Sequence, residues 1–143
     1  MILIVQSLWN EAITSKLCEG AAQYLKSKKI PYEIVQVPGA LEIPLAIAYR
    51  AKKKPGLKGA VCVGTVVKGE TFHFEIVANE SARALTQLSM DLMMPIGHGI
   101  LATYDVDQAL ERAGGKYGNK GEEAARAVVS MLQWMKSPVR KKK

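Results

Sequence analysis

Apolar residues follow two rhythms along this chain. Short runs rich in Val, Ile and Leu occupy positions 2–6, 32–37, 59–66 and 95–102, and the stretches after them carry apolar residues every three or four positions. Runs of that length suit strands, and the longer recurrence suits helices with one buried face. After the first run, Ile13, Leu17, Ala21 and Leu25 mark such a face; Asn10 is placed as its N-cap, with Lys28 and Lys29 near the negative end of the helix dipole. A second helix is expected over 41–54, opened by Pro38-Gly39 and closed before Pro55-Gly56. A third should begin near Thr71, as its N-cap, and reach about Leu92, with Val77, Ser81, Leu85, Leu88 and Leu92 on one face. Asp105 and Gln108 have capping-box-like spacing for a short helix ending at Gly114-Gly115. The last helix should run from about Lys120 to Lys136, with Ala124, Ala127, Val128, Met131, Leu132 and Met135 as a broad apolar stripe.

This alternation predicts a three-layer α/β/α sandwich around a central four-stranded parallel sheet. At 143 residues and 48% hydrophobic content, the chain can bury one substantial core but is too short for two ordinary domains. One domain is expected over 1–137, followed by a basic, disordered tail over 138–143. There is no internal repeat or long linker.

Charge changes the picture little. The formal net charge is +7, but Arg140, Lys141, Lys142 and Lys143 supply four of those charges and leave +3 for the rest. A nucleic-acid-binding reading would use this tail and Lys52-Lys53-Lys54, yet no aromatics are interleaved with the basic residues, so no nucleic-acid partner is expected. Cys18, Cys62, His73 and His98 complete no metal-ligand spacing. No apolar run reaches membrane-spanning length and the start lacks a signal-peptide core, so the cytoplasm is the expected location.

In open parallel sheets ligands bind outside the carboxyl ends of the strands. Here those ends carry Trp9 and Asn10, then Pro38 to Glu42, then Val67 to His73, then Thr103 to Asp105. An aromatic ring, a carboxylate, a glycine turn and a histidine on one edge describe a site for flat, hydroxylated, phosphate-bearing reactants. Lys68-Gly69-Glu70-Thr71 leads into a helix N-terminus, which favours an anion, provided Glu70 turns to solvent and a cation neutralises the charge. Taken alone, Trp9 reads more readily as an ordinary half-buried aromatic, Glu42 as a residue favouring a helix start, and His73 as a surface histidine.

Longer stretches are more specific. Val37-Pro38-Gly39-Ala40-Leu41-Glu42-Ile43-Pro44, then Gly64-Thr65-Val66-Val67-Lys68-Gly69-Glu70-Thr71-Phe72-His73-Phe74-Glu75, then Glu111-Arg112-Ala113-Gly114 with Gly118-Asn119-Lys120-Gly121, follow one another in order. Together they resemble the lumazine synthases over nearly the whole chain. The resemblance implies a flavodoxin-like fold and the condensation of 5-amino-6-(ribitylamino)uracil with 3,4-dihydroxy-2-butanone 4-phosphate, without a cofactor. It implies that Trp9 stacks on the pyrimidine, that Glu42 accepts hydrogen bonds from ribityl hydroxyls, and that Ala40, Leu41, Val66 and Val67 line the pocket. Lys68, Glu70 and Thr71 belong to the anion turn, and His73 is the acid/base. Arg112 and Lys120 contact the phosphate region from a neighbouring subunit of a homopentamer. The alternative is a protein that binds a lumazine or flavin without catalysis.

Some positions depart from the family pattern. His98 stands where many members carry an aromatic that packs near the bound ring across the interface. Lys68 stands where Arg is common, Leu41 where an aromatic is frequent, and Leu8 where a polar or basic residue often appears. The chain starts almost at its first strand, which argues for free pentamers. The uninterrupted loop from Gly114 to Gly121 is compatible with a larger shell.

Overall fold

A computed structural model describes residues 1–139. The elements, in chain order, are β1 (Ile2–Ser7), α1 (Glu11–Ser27), β2 (Tyr32–Val37), a 3₁₀ turn (Ala40–Glu42), α2 (Ile43–Lys53), β3 (Gly59–Val67), α3 (His73–Leu92), β4 (Ile96–Thr103), α4 (Val106–Glu111), β5 (Ala113–Gly115), β6 (Gly118–Asn119) and α5 (Lys120–Lys136). The main sheet is parallel in the order β2-β1-β3-β4, a flavodoxin-like arrangement with helices on both faces.

Because side chains alternate along a strand, β1 and β3 feed both faces of the sheet. Ile2, Ile4, Val61 and Val63 pack with Leu17, Ala21 and Leu25 of α1 and Ala124, Ala125, Val128 and Val129 of α5. Leu3, Val5, Ala60 and Cys62 pack with Ile43 and Ile47 of α2 and Leu85 of α3. Buried on both faces, these strands read as unbroken apolar runs. Where α1 crosses α5 the backbones nearly touch: a Cβ on Gly121 would overlap the carbonyl oxygen of Leu17. On the other face, Glu33 of β2 binds Arg50 at 2.9 Å and Lys54 at 3.0 Å, beside the end of α2.

The strand and helix expectations hold within a few residues, with several corrections. Asn10 precedes α1 but does not cap it with its side chain; it takes a left-handed backbone at φ 57°, which Asn tolerates, and its carbonyl accepts from Ile13 and Thr14. The second helix begins as a 3₁₀ turn before Ile43. The third begins at His73 with Phe72 at the cap, although the Thr71 hydroxyl still accepts from the His73 N–H at 3.4 Å. β4 starts at Ile96, after Pro95, whose missing N–H suits a position before the ladder. Gly114 and Gly115 do more than end α4: they form β5, which pairs antiparallel with β6. On α5 the buried set shifts, with Ala125 and Val129 joining Ala124 and Val128, while Ala127, Met131 and Met135 are exposed. The tail residues 140–143 lie outside the described residues.

Among the described residues, no helix is long and apolar enough to cross a membrane.

Candidate functional site

The carboxyl ends of β1, β2 and β3 open into a cleft of about 440 Å³ lined by Trp9, Asn10, Gly39, Ala40, Leu41, Glu42, Thr65, Val66, Val67, His73 and Val77. Parallel strands bring these segments together because each chain crossing returns at the same end of the sheet. The loops after β1 and β2 are fastened to each other: Leu8 N–H donates to the Val37 carbonyl at 2.9 Å, and Trp9 N–H to the Pro38 carbonyl at 3.3 Å. A Cβ on Gly39 would sit 3.2 Å from Trp9 Cδ1 and 3.1 Å from Glu42 Oε2, so the absence of a side chain lets the indole edge and the carboxylate approach one point. Trp9 is 72% exposed, an indole left open at the cleft rather than buried in the core. Thr65 adds a buried hydroxyl that has no hydrogen-bond partner among the described residues.

His73 is the first residue of α3 and is exposed. Seven expected residues therefore share this cleft: Trp9, Ala40, Leu41, Glu42, Val66, Val67 and His73. Lys68, Glu70 and Thr71 do not line it. Glu70 and Thr71 lie exposed in the turn before α3. Lys68 is drawn toward β4 instead, its N–H donating to the Thr103 carbonyl at 2.9 Å and its ammonium lying 5.5 Å from the Tyr104 ring centre.

Arg112 and Lys120 line a second cleft of about 550 Å³, with Ile100, Leu101, Ala102, Thr103, Tyr104, Gln108, Tyr117 and Glu123. The two clefts share no lining residue. This second cleft carries two cations, Arg112 and Lys120, and one carboxylate, Glu123, and its aromatic walls are Tyr104 and Tyr117. Asp105 caps α4, accepting from the Gln108 N–H at 2.8 Å, while the Gln108 side chain accepts from the Tyr104 N–H at 2.9 Å. That reciprocal cap fixes the wall carrying Tyr104. Asn119 likewise caps α5, accepting from the Glu122 N–H at 3.0 Å, and ties it to α1 by donating to the Lys16 carbonyl at 3.0 Å.

His98 lies apart from both, beside Leu85, Thr86, Ser89, Met90 and Ile96 in a shallow recess between β4 and α3. Its residue surface is exposed, yet the crowding of its imidazole by protein atoms, and secondarily the positive charge of Lys120, pull its pKa below the ordinary 6.5 against a backbone hydrogen bond that raises it. Both thiols lie in the core, with burial pushing Cys18 up to about 11 and Cys62 higher still.

Sequence reading alone passed over Gly39, Thr65, Tyr104 and Tyr117 as wall residues. Gly39 and Thr65 were visible inside the quoted motifs. Tyr104 fell within the strand-end segment Thr103 to Asp105, but Tyr117 had no signal, because nothing in the pattern places the loop after β4 against the β5–β6 hairpin.

Residues 1–136 match the family model described as 6,7-dimethyl-8-ribityllumazine synthase. Proteins of that name from Beijerinckia indica, Bdellovibrio bacteriovorus and Bartonella tribocorum are 46%, 45% and 44% identical. These alignments cover 92%, 90% and 92% of this chain and 74%, 72% and 87% of the respective relatives. The chain belongs to the 6,7-dimethyl-8-ribityllumazine synthase family.

Proposed function

We propose that the cleft between Trp9 and His73 is where this chain carries out its reaction. As a member of its family the chain is an enzyme, a transferase of riboflavin biosynthesis. It condenses 5-amino-6-(D-ribitylamino)uracil with 3,4-dihydroxy-2-butanone 4-phosphate to give 6,7-dimethyl-8-ribityllumazine, phosphate and water. The observation that carries the siting is the convergence of an exposed indole, a carboxylate and an imidazole around one cleft at the strand ends.

In this reading Trp9 stacks on the pyrimidine, and Glu42 accepts hydrogen bonds from the ribityl hydroxyls. Backbone groups of Ala40, Leu41, Val66 and Val67 hold the ring edge. The uracil supplies its own amine as nucleophile, so the protein contributes positioning and proton transfer. The amine nitrogen attacks the ketone carbon and water leaves as the imine forms. Phosphate then departs by elimination, and the ribitylamino nitrogen attacks the remaining carbonyl carbon, closing the ring with loss of a second water. His73 moves protons through these steps, because an imidazole can give and take a proton near neutral pH. The turn over Lys68, Glu70 and Thr71 holds the phosphate beside the N-terminus of α3, at the positive end of its dipole.

Arg112 and Lys120 serve as the phosphate clamp of a neighbouring subunit, with His98 beside the ring from that same neighbour. The separation of their clefts from that of His73 within one chain supports this. The functional particle is then a homopentamer.

The test is to mix purified protein with both substrates and follow lumazine fluorescence against a protein-free control, since the substrates also react slowly unaided. His73→Ala should lower kcat by about 100-fold, the scale of a lost general acid/base. Acceleration through proximity should persist in that variant. An unchanged kcat would remove His73 from the proton-transfer role.

A further inference from the structure

Arg112 sits at the end of α4, where the chain turns into the β5–β6 hairpin, and three groups hold its guanidinium. Nη1 donates to the Gln108 carbonyl at 2.9 Å and lies 3.6 Å from Glu111 Oε2. The third is the Tyr117 ring, whose centre is 4.7 Å from Cζ. The first two contacts both use Nη1. The third sets the cation over the aromatic ring. A guanidinium carries five N–H donors, and contact with an aromatic face consumes none of them. The Nε and Nη2 hydrogens, which make no hydrogen bond among the described residues, therefore remain available as a fork. A fork of that kind matches two oxygens of a phosphate.

The ring is itself anchored. Tyr117 N–H donates to the Glu111 carbonyl at 2.8 Å, and Lys120 N–H to the Arg112 carbonyl at 2.9 Å. Those two bonds fold the hairpin back on the end of α4, so the ring, the guanidinium and the Lys120 backbone form one unit on the wall of the second cleft. Lys116 lies 5.2 Å from the same ring centre and adds positive charge beside it.

We propose that Tyr117 is a positioning residue for Arg112: its ring restrains the guanidinium so that the free edge faces the cleft where the phosphate of the second substrate is held. This rests on the reading of Arg112 as the phosphate partner. A free arginine side chain loses conformational freedom when it binds an oxyanion, and an aromatic wall restrains it beforehand. Glu111, two-fifths exposed and loosely paired, is too weak a partner to do the same without also competing for the cation.

The experiment uses steady-state kinetics with each substrate varied in turn, for the full chain and for Tyr117→Leu, Tyr117→Phe, Arg112→Ala and the Tyr117→Leu/Arg112→Ala pair. Leucine keeps bulk without an aromatic face, and Tyr117 is 53% exposed, so folding should survive; thermal unfolding monitors it. Tyr117→Leu should raise KM for the butanone phosphate about two- to fivefold, the scale of an exposed cation–π contact. KM for the ribitylaminouracil should stay unchanged, and Tyr117→Phe should match the parent. Added to Arg112→Ala, the leucine substitution should have no further effect. If Arg112→Ala raises that KM while Tyr117→Leu leaves it alone, or acts equally without Arg112, the positioning role is overturned and the phosphate reading stands. Should Arg112→Ala itself leave the KM unchanged, the phosphate reading falls and takes this inference with it.

Discussion

His98 is the residue whose chemistry differs most from an aromatic in its place. Crowding by protein atoms and the charge of Lys120 hold its folded pKa below the ordinary 6.5, so the folded chain binds this proton less readily than the unfolded one. Stability from this position is complete above pH 6.5 and is lost as pH falls through the lowered folded value. Phenylalanine has no such proton. His98→Phe should therefore narrow the gap between melting temperatures measured at pH 7.5 and pH 5, and an equal gap in both proteins would mean that His98 does not govern the acid side. The neighbouring face of α3 contributes Thr86 and Ser89, which are uncharged, so Lys120 is the charged group that bears on the imidazole.

At the scale of elements, the contact between α1 and α5 depends on a missing side chain. Gly121 sits near the start of α5, and an added Cβ would overlap the Leu17 carbonyl, which belongs to helix backbone and cannot swing aside. Gly121→Ala should gain helix propensity of about 1 kcal/mol yet lose more through forced separation, for a net destabilisation of about 1–3 kcal/mol by urea unfolding. A more stable variant would show that the two helices slide apart without cost. Much of this framework was legible from periodicity. β2 falls on the expected 32–37 and α5 on 120–136, because a short β-branched segment between turns and a long 3.6-residue stripe are strong signals. The β5–β6 hairpin was not legible, since Ala113–Gly115 and Gly118–Asn119 are too short to alternate. The turn at Ala40–Glu42 escaped for a related reason: three residues cannot distinguish one helical pitch from another. The α5 stripe was legible as apolar but not as to what covers it. Trp9, Glu42 and His73 could be placed at strand ends by topology, whereas Tyr117 of the second cleft required the loops to be seen in space.

For the whole molecule, the proposed ring would bring the two separate clefts together from neighbouring copies. Apolar side chains are exposed on two different sides: Tyr32 and Ile34 on edge strand β2 with Leu45 and Tyr49 on α2, and Met90, Met93, Met131, Trp134 and Met135 beside β4. Two unlike faces suit head-to-tail contacts, which close into a ring when the rotation permits, rather than the self-matched contact of a two-fold dimer. In the proposed ring, His73 of one copy would meet Arg112 of the next. Two variants that are each impaired, His73→Ala and Arg112→Ala, should then complement each other when co-expressed. A working site needs its His73 from an Arg112→Ala chain and its Arg112 from a His73→Ala neighbour. With equal, random mixing each condition is met half the time, so about one quarter of the sites should recover parent activity in such a head-to-tail ring. Mixing the variants after separate assembly should restore nothing until subunits exchange. If instead each chain builds its site alone, every site carries one lesion, and the co-expressed mixture would show only the average of the two impaired rates.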